Sequence, residues 1–256
     1  MNAIDFTGRS VLVTGGTKGI GFAIASAFLE AGADVVVCAR NSTDQLPIAS
    51  GRSASFVAAD LRDAAQAQAA VNAAAERYGR LDVMVNNAGG SPSAEAATVS
   101  PRFVEKIVAL NLLAPFYVSQ AANALMQQQE SGGSIVNIGS VAAHESQPGA
   151  AAYSAAKAGL LQLTRALALE WAPRVRVNHI TAGLIRTENA TDVYGADGGA
   201  AVARTIPMQR LAEPSDIAAA CLYLASPLAA YVTGADLPVH GGGEVPARYL
   251  AAGGQL

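Results

Sequence analysis

Tyr153 and Lys157 are the pair of residues whose types and spacing most directly indicate chemistry. Because they are four residues apart in an alanine- and leucine-rich segment, they would lie on the same face of a helix. A tyrosine phenol has an ordinary pKa of about 10, which makes it a poor base near neutral pH. An ammonium beside the phenol favours the phenolate and lowers that pKa. The pair is therefore a candidate for moving a proton on a substrate oxygen, and a surface helix pair is the alternative.

Ser140 and two other polar residues are further candidates. Ser140 follows the apolar run "SIVNI", where a strand would end and a cleft would open, although a serine there is otherwise only a turn residue. Its hydroxyl would hydrogen-bond a substrate oxygen alongside Tyr153. His144 and Gln147 are candidates for the wall of a substrate pocket, whereas His179 lies in an apolar strand and is interpreted as a core residue.

The elements that must position these residues alternate along the chain. Short β-branched runs alternate with longer alanine- and leucine-rich segments, which is typical of repeated βαβ units. The predicted strands are 10–14, 34–39, 55–59, 83–86, 134–138, 174–180 and 236–239, and the predicted helices are 19–31, 63–78, 101–129, 151–171 and 214–225. Runs such as "VLV" and "VVV" are apolar on both faces, so we expect an α/β fold with a doubly wound parallel sheet of seven strands. We expect a single domain over residues 1–256.

The segment "TGGTKGIG", residues 14–21, lies between a predicted strand and a predicted helix. Glycines at this point let a phosphate approach the first N–H groups of the helix, which favour an anion. The next strand follows at βαβ distance, so the context favours a dinucleotide site over a tight turn without a ligand. The glycine spacing departs from the usual Gly-x-Gly-x-x-Gly fingerprint, and chemistry alone does not explain why.

With four further motifs, this loop resembles one known family. "TGGTKGIG" is similar to the TGxxxGxG cofactor loop of the short-chain dehydrogenase/reductase family. The motifs "AAD" ending at Asp60, "NNAG" at 86–89, "NIGS" ending at Ser140 and "YSAAK" at 153–157 follow in the family's order and spacing. The chain looks most like members related to 3-oxoacyl-[acyl-carrier-protein] reductases. The resemblance implies a Rossmann-type fold and hydride transfer between a nicotinamide cofactor and a ketone or secondary alcohol.

The resemblance also implies roles for individual residues. Tyr153 would be the general acid and base, Ser140 would orient the carbonyl, and Lys157 would tune the tyrosine and bind ribose hydroxyls. The backbone of Asn111 would hold a water of a proton relay, although an asparagine in an apolar helix is equally a satisfied core group. The implied cofactor-binding residues are Gly15, Thr17, Lys18, Gly19, Ile20, Gly21, Arg40, Asp60, Leu61, Asn87, Ala88, Gly89, Tyr153, Lys157, Gly183, Ile185 and Thr187. Ala182 stands where the family usually has a proline, which predicts a more mobile loop.

The end of the second strand distinguishes NAD from NADP. An acid there binds the ribose 2′-hydroxyl, whereas a cation accommodates a 2′-phosphate. Ala39 replaces the acid, and Arg40 and Lys18 form a pair of cations that resembles the NADP-preferring members of the family. We therefore expect NADP(H), and the resemblance implies that Asp60 contacts the adenine amino group. The alternatives are NAD(H) and cations that are merely solvated.

Composition and charge argue against several other classes of function. The formal net charge is −3 without a basic stripe, so nucleic acid is not an expected partner. Cys38 and Cys221 lie in apolar runs without metal-ligand spacing, so neither a disulfide nor a metal is expected. No uninterrupted apolar stretch approaches the ~18 residues of a membrane span, so we expect no membrane partner and a cytoplasmic location. "HGGG" at 240–243 has no accompanying G-x-S-x-G elbow, so a hydrolase is excluded.

Two further expectations concern the surface of the enzyme. Turn residues and sparse apolar positions over 188–210 predict a substrate lid. Small and apolar residues around most of helix 151–171 predict a homotetramer, with a dimer as the alternative. Two other functions stay open: an NAD-dependent dehydrogenase of 3-hydroxyacyl thioesters or hydroxysteroids, and a dinucleotide-binding sensor or scaffold without chemistry.

Overall fold

A parallel sheet organises the chain. The structure, a computed structural model, describes residues 4–145, 147–188 and 190–254. Seven strands pair in parallel in the order β5-β2-β1-β6-β7-β8-β9. They are β1 (Ser10–Thr14), β2 (Asp34–Ala39), β5 (Ser55–Ala58), β6 (Val83–Asn86), β7 (Gly133–Ile138), β8 (Val175–Ala182) and β9 (Asp236–Val239). The strand order reverses between β1 and β6, which opens a crevice at the carboxyl ends of the strands.

Helices cover both faces of this sheet. The longer ones are α1 (Gly19–Glu30), α2 (Ala64–Tyr78), α3 (Pro101–Val108), α4 (Ala114–Met126), α5 (Ala151–Trp171) and α8 (Pro214–Ala225), and the shorter ones are α6 (Ala190–Tyr194), α7 (Ala200–Ala203) and α9 (Ala247–Ala251). Successive side chains of a strand point to opposite faces of the sheet. Val11 and Leu12 are both fully buried because helices cover both faces. Val11 packs in the core under α1 and α8, and Leu12 in the core under α2 and α4. The expected doubly wound sheet is confirmed.

A small hairpin was not predicted. Strands β3 (Ile48–Ala49) and β4 (Arg52–Ser53) pair antiparallel beside the main sheet. Ser50 and Gly51 connect them with φ values of 50° and 73°, the left-handed backbone of a two-residue hairpin turn. The Ser-Gly dipeptide is a turn signal in the sequence, but the strands it joins are too short to show alternation.

The predicted helix over 101–129 is interrupted, and the cause is visible in the sequence. A π-helical turn, Ala109–Leu113, separates α3 from α4. Pro115 has no N–H, so the carbonyl of Asn111 lacks the donor that an α-helix would supply. The Ala114 N–H bonds to the Ala109 carbonyl, five residues earlier, which is the π-helical pattern. The segment Pro101–Met126 has the length and hydropathy of a membrane span, but Val118 and Met126 are buried against the sheet and α2.

Strand β8 continues past its predicted end at residue 180. It runs to Ala182, which pairs with Val239 of β9, and the Gly183 N–H donates to the Val239 carbonyl at 3.0 Å. The alanine at 182 retains a backbone N–H that a proline would lack. The segment that was expected to be mobile is therefore part of the sheet as far as Gly183.

Candidate active site

The phosphate loop and the ends of three strands line one cleft of about 520 Å³. Most of the predicted cofactor-binding residues line it: Gly15, Thr17, Lys18, Gly19, Ile20, Gly21, Arg40, Asp60, Leu61, Asn87, Ala88, Gly89 and Thr187. Gly21 explains part of the glycine spacing, since a Cβ there would lie 2.3 Å from the Gly15 carbonyl oxygen and 2.4 Å from Asn87 Nδ2. The loop and the β6 end can pack this closely only without a side chain at position 21.

Helix α1 begins without the side-chain cap that α2 has. Asp63 accepts the N–H groups of Ala65 and Gln66 at the start of α2, whereas Lys18, at the corresponding position of α1, makes no capping hydrogen bond. Glu188 Oε1 accepts the Gly19 N–H at 3.2 Å instead. A carboxylate on this N–H shows that the start of α1 accepts an anion, as a pyrophosphate site requires. The loop therefore fits a dinucleotide.

Three cations line the cleft near the end of β2. Lys18 and Arg40 are exposed and pair with no carboxylate in the described parts of the chain. Arg62, which was not predicted, donates through Nε to Asp60 Oδ1 at 2.8 Å. This hydrogen bond lowers the pKa of Asp60 below its ordinary value, and the nearby charge of Arg40 contributes. The carboxylate of Asp60 is thus paired with Arg62, while Lys18 and Arg40 stay available to an anion.

The end of β6 forms the floor of the cleft. Thr14 Oγ1 accepts the N–H groups of Asn87 and Ala88, each at 3.0 Å, and Asn87 Nδ2 donates to the Thr14 carbonyl at 2.9 Å. These bonds join the carboxyl ends of β1 and β6, the two strands that flank the topological reversal. The "NNAG" motif is therefore held in position by hydrogen bonds to the end of the neighbouring strand, β1.

Ser140, Tyr153 and Lys157 meet beside this cleft. Ser140 follows β7 and accepts the Ala142 N–H at 3.2 Å, which leaves its hydroxyl proton free, and Tyr153 lies near enough for the serine to act on the pKa of its phenol. Lys157 Nζ lies 5.7 Å from the centre of the Tyr153 ring and donates to the Ile138 carbonyl at 2.7 Å. Helix α5 therefore places both residues against the end of β7, as their four-residue spacing predicts.

Burial dominates the pKa of both titratable groups. It raises the pKa of Tyr153, an effect that the hydrogen bond with Ser140 opposes and the nearby Tyr194 reinforces. Burial lowers the pKa of Lys157 to about 8. The expected lowering of the tyrosine pKa is not what the structure shows, because desolvation of the phenolate outweighs the stabilisation available to it. Tyr153 consequently keeps its proton near neutral pH, the state needed in a proton donor.

The Asn111 side chain is fully satisfied by backbone groups. Its Nδ2 donates to the carbonyls of Ile107 and Gly90 at 2.9 and 3.0 Å, and its Oδ1 accepts the Gly90 N–H at 2.9 Å. These bonds fix the π-helical turn to the loop after β6. The side chain is thus a core polar group, and a relay would have to use the backbone carbonyl, whose α-helical donor Pro115 removes.

The remaining predicted residues lie around this centre. The Ile185 N–H donates to the hydroxyl of Tyr194 in α6 at 3.2 Å, and Gly183 packs against the backbone of His240. The His144 side chain is held by other residues: its Nε2 lies 2.9 Å from Asp236 Oδ2 and 3.1 Å from Thr181 Oγ1. Gln147 is exposed and accepts the Ala150 N–H through its carbonyl. Ser146 and the lid residue Asn189 lie outside the described residues.

Comparisons with known proteins bear on the whole chain. Residues 15–244 match a family model described as enoyl-(acyl carrier protein) reductase. The D-threitol dehydrogenase of Mycolicibacterium smegmatis is 38% identical over 94% of this chain and 96% of its own. The 3alpha-hydroxysteroid dehydrogenase of Mediterraneibacter gnavus is 39% identical over 91% of this chain and 96% of its own. A short-chain type dehydrogenase/reductase from Mycobacterium marinum superposes with a TM-score of 0.88 at 32% identity, over 96% and 99% of the two chains.

The chain belongs to the short-chain dehydrogenase/reductase family. The resemblance inferred from the motifs is thereby confirmed. As a short-chain dehydrogenase/reductase, the protein is an oxidoreductase that acts on CH–OH groups with NAD(P). Among the described residues of this family member, no three His, Cys, Asp or Glu side chains form a group that could hold a metal ion.

Sequence reasoning missed Arg62, Glu188, Tyr194 and Asp236 as neighbours of the site. Arg62 lies two residues after the end of the "AAD" motif, so its position could have suggested a third cation. Glu188 and Tyr194 lie in the segment predicted to be a lid, where no local pattern indicates which cleft residue a side chain contacts. Asp236 opens a predicted strand, and nothing in the strand pattern pairs it with a histidine.

Proposed function

We propose that this short-chain dehydrogenase/reductase reduces a ketone to a secondary alcohol with NADPH, and catalyses the reverse oxidation with NADP⁺. One observation carries the proposal: Ser140 and the half-buried Tyr153 lie together beside a dinucleotide cleft, with Lys157 Nζ 5.7 Å from the centre of the tyrosine ring. A hydroxyl pair of this kind binds one oxygen atom and supplies one proton, which is what the oxygen of a carbonyl needs during reduction.

The side chains divide the work at the substrate oxygen. Bound NADPH supplies the hydride that forms the new C–H bond. Ser140 donates a hydrogen bond to the carbonyl oxygen and orients it toward Tyr153. Tyr153 then transfers its phenolic proton to that oxygen as negative charge develops there, which gives the alcohol. Lys157 stabilises the resulting phenolate by its charge until Tyr153 is protonated again.

The preference for NADP(H) rests on the positive charge of the residues that line the cleft near the end of β2. Lys18 and Arg40 line the cleft near the end of β2, where a 2′-phosphate would be expected, and the Asp60 carboxylate is engaged by Arg62. A phosphate with two negative charges gains from two unpaired cations, whereas a 2′-hydroxyl does not. Equal affinities for NADPH and NADH would contradict the preference.

A second substrate class is favoured by the comparisons. The relative from Mediterraneibacter gnavus is named for hydroxysteroids and that from Mycolicibacterium smegmatis for a sugar alcohol. Oxidation of a hydroxysteroid or polyol with NAD⁺ is therefore the second candidate function.

A panel of carbonyl compounds and alcohols tests the proposal. Small ketones, keto-steroids, keto-sugars and 3-oxoacyl thioesters are offered with NADPH or NADH, and the corresponding alcohols with NADP⁺ or NAD⁺. The proposal expects turnover of at least one ketone with NADPH, and turnover only of an alcohol with NAD⁺ would establish the second candidate. If the cofactor binds but every substrate stays silent, the chain is a sensor or scaffold.

Two structural expectations belong to the same proposal. Residues 188–210 close over the substrate as a lid, and four copies of the single domain over 1–256 associate. Leu169 of α5 is 85% exposed in the single chain, and Tyr231 and Leu228 are exposed near β9, so apolar surface is available for burial between copies. Light scattering of the purified protein gives the mass directly, and a dimeric mass would replace the tetramer.

A further inference from the structure

Outside the group formed by Ser140, Tyr153 and Lys157, one carboxylate forms hydrogen bonds with two imidazoles. Asp236, the first residue of β9, lies 2.8 Å through Oδ1 from His179 Nδ1 and 2.9 Å through Oδ2 from His144 Nε2. The Thr181 hydroxyl donates to Asp236 Oδ1 at 2.7 Å. Burial alone would raise the pKa of Asp236, but the hydrogen bonds from Thr181 and His179 outweigh it, and the pKa lies below its ordinary value. The cluster is therefore built around an ionised carboxylate.

The carboxylate fixes the protons of both rings. Because an ionised carboxylate only accepts, His179 carries its proton on Nδ1 and His144 carries one on Nε2. His179 is fully buried, and burial lowers its pKa against the pull of Asp236, with the charges of Lys157 and His144 adding to the lowering. Its Nε2 is buried without a hydrogen-bond partner in the described parts of the chain. An unpaired buried polar atom costs free energy, so its retention needs a reason beyond packing.

The buried ring lies directly against the residue before Ser140. A Cβ on Gly139 would be 2.0 Å from both Cε1 and Nε2 of His179, so the imidazole occupies the space of a side chain at that position. The Gly139 N–H donates to the Ile180 carbonyl at 2.8 Å, which holds the backbone against β8. Moving His179 would therefore move the start of the segment that carries Ser140.

The other end of the segment is tied to the same carboxylate. Ser140 caps a short 3₁₀ turn, Val141–Ala143, and His144 follows at once, with its N–H bonded to the Val141 carbonyl at 2.9 Å. The His144 side chain then reaches Asp236. Residues 139–144 are thus held at one end by the packing of His179 and at the other by the hydrogen bond of His144.

We infer that Asp236 is a positioning residue for Ser140, acting through His179 and His144 to hold the serine segment at both ends. The inference rests on the proposed role of Ser140 in carbonyl reduction. It assigns a function to two histidines and a carboxylate that take no direct part in the proposed reaction. An asparagine at 236 would offer a single acceptor oxygen and turn an N–H₂ group toward one imidazole N–H, which weakens the hold on one end of the segment; at the His144 end only the 3.1 Å contact of Nε2 with Thr181 Oγ1 would remain.

A double-mutant cycle separates positioning from a general structural role. The steady-state rates of Asp236→Asn, Ser140→Ala and the double variant are measured with one ketone and NADPH. We expect Asp236→Asn to lower kcat about 10-fold, to leave the KM for NADPH within about 2-fold, and to change kcat by less than about 2-fold in the Ser140→Ala background. An equal loss in both backgrounds, or no loss in the first, would overturn the inference.

A second pair of variants keeps the test usable if Asp236→Asn does not fold. His144 is 43% exposed, so its replacement leaves the core intact. His144→Ala removes the donor to Asp236, whereas His144→Gln supplies an N–H at the same distance along the side chain. We expect the alanine variant to lose kcat and the glutamine variant to recover most of it, and equal rates for the two would contradict the inference.

Failure of the inference is distinguishable from failure of the proposed function. An enzyme that turns over no ketone, or that keeps its rate in Tyr153→Phe, contradicts the proposed function. An active enzyme that loses its rate in Tyr153→Phe and Ser140→Ala but not in Asp236→Asn contradicts only the positioning role.

Discussion

The two ends of the cleft use positive charge in opposite ways. At the dinucleotide end Lys18 and Arg40 stand exposed, and the first N–H groups of α1 have no side-chain cap of their own. At the catalytic end Lys157 is 4% exposed and Tyr153 is half-buried. Exposed charges are screened by water and contribute modest affinity, whereas burial shifts pKa values and changes reactivity. Substitutions at the first end should therefore alter binding, and those at the second end should alter turnover.

The sharpest contrast is expected from Lys157→Met. The methionine has a similar length but no charge, so the phenolate of Tyr153 loses its stabilising ammonium. We expect kcat to fall about 1,000-fold, within the range of general acid–base contributions. Lys106→Met, at an exposed position of α3, is the matched control and should stay within about 2-fold. Comparable losses in both variants would show that the effect is not specific to the buried lysine.

The same variant should also alter how stability depends on pH. The pKa of Lys157 is about 8 in the folded protein and 10.5 ordinarily, so between these values the unfolded chain binds a proton that the folded chain has released. The free energy of unfolding therefore rises with pH across this window relative to Lys157→Met, on the order of 3 kcal/mol in all. Denaturant unfolding from about pH 7.5, roughly half a unit below the folded pKa of Lys157, to pH 10.5, its ordinary pKa, measures the difference. A difference that is constant over this range would refute a depressed lysine pKa.

A binding effect is expected at the other end of the cleft. The double variant Lys18→Ala/Arg40→Ala removes both cations that we propose bind the 2′-phosphate of NADPH. We expect the Kd for NADPH to rise about 30-fold and that for NADH by less than about 3-fold, with kcat on saturating NADPH nearly unchanged. Arg102→Ala, at an exposed position of α3, serves as the control. Parallel losses for the two cofactors would remove the basis for an NADP(H) preference.

The smallest effect is expected at Glu188. Its carboxylate accepts the Gly19 N–H at 3.2 Å and would have to yield this donor to a pyrophosphate. Glu188→Gln removes the negative charge, so the affinity for NADPH should increase about 3-fold. Asp192→Asn, which changes an exposed acid of α6 in the lid, should leave the affinity unchanged. A weaker affinity in Glu188→Gln would show that Glu188 does not compete with the cofactor.

Local signals predicted the framework of both ends. The alternation of apolar strands and helices predicted the seven strands and the helices that cover the sheet. The glycines of the phosphate loop predicted where α1 begins. The four-residue spacing of Tyr153 and Lys157 placed both on one face of α5. Each of these signals lies within a few residues of chain, where periodicity and turn chemistry are decisive.

Contacts between distant segments were not predictable in the same way. Glu188 meets Gly19 across 169 residues, and His144 meets Asp236 across 92. Such pairs depend on strand register and on the direction of each side chain, neither of which a single strand pattern specifies. The pKa of Tyr153 belongs to the same class, because its direction depends on burial by the surrounding structure and not on the residue four positions away.

The separation of binding from turnover is tested most directly by Tyr153→Phe. The substitution removes one hydroxyl at the catalytic end and leaves every residue of the dinucleotide end in place. Titration with NADPH and turnover of the same ketone are measured on one preparation. We expect the Kd for NADPH within about 2-fold of the wild-type value and a kcat below about 1% of it. A residual kcat above that level, or a loss of NADPH binding that matches the loss of turnover, would contradict the account.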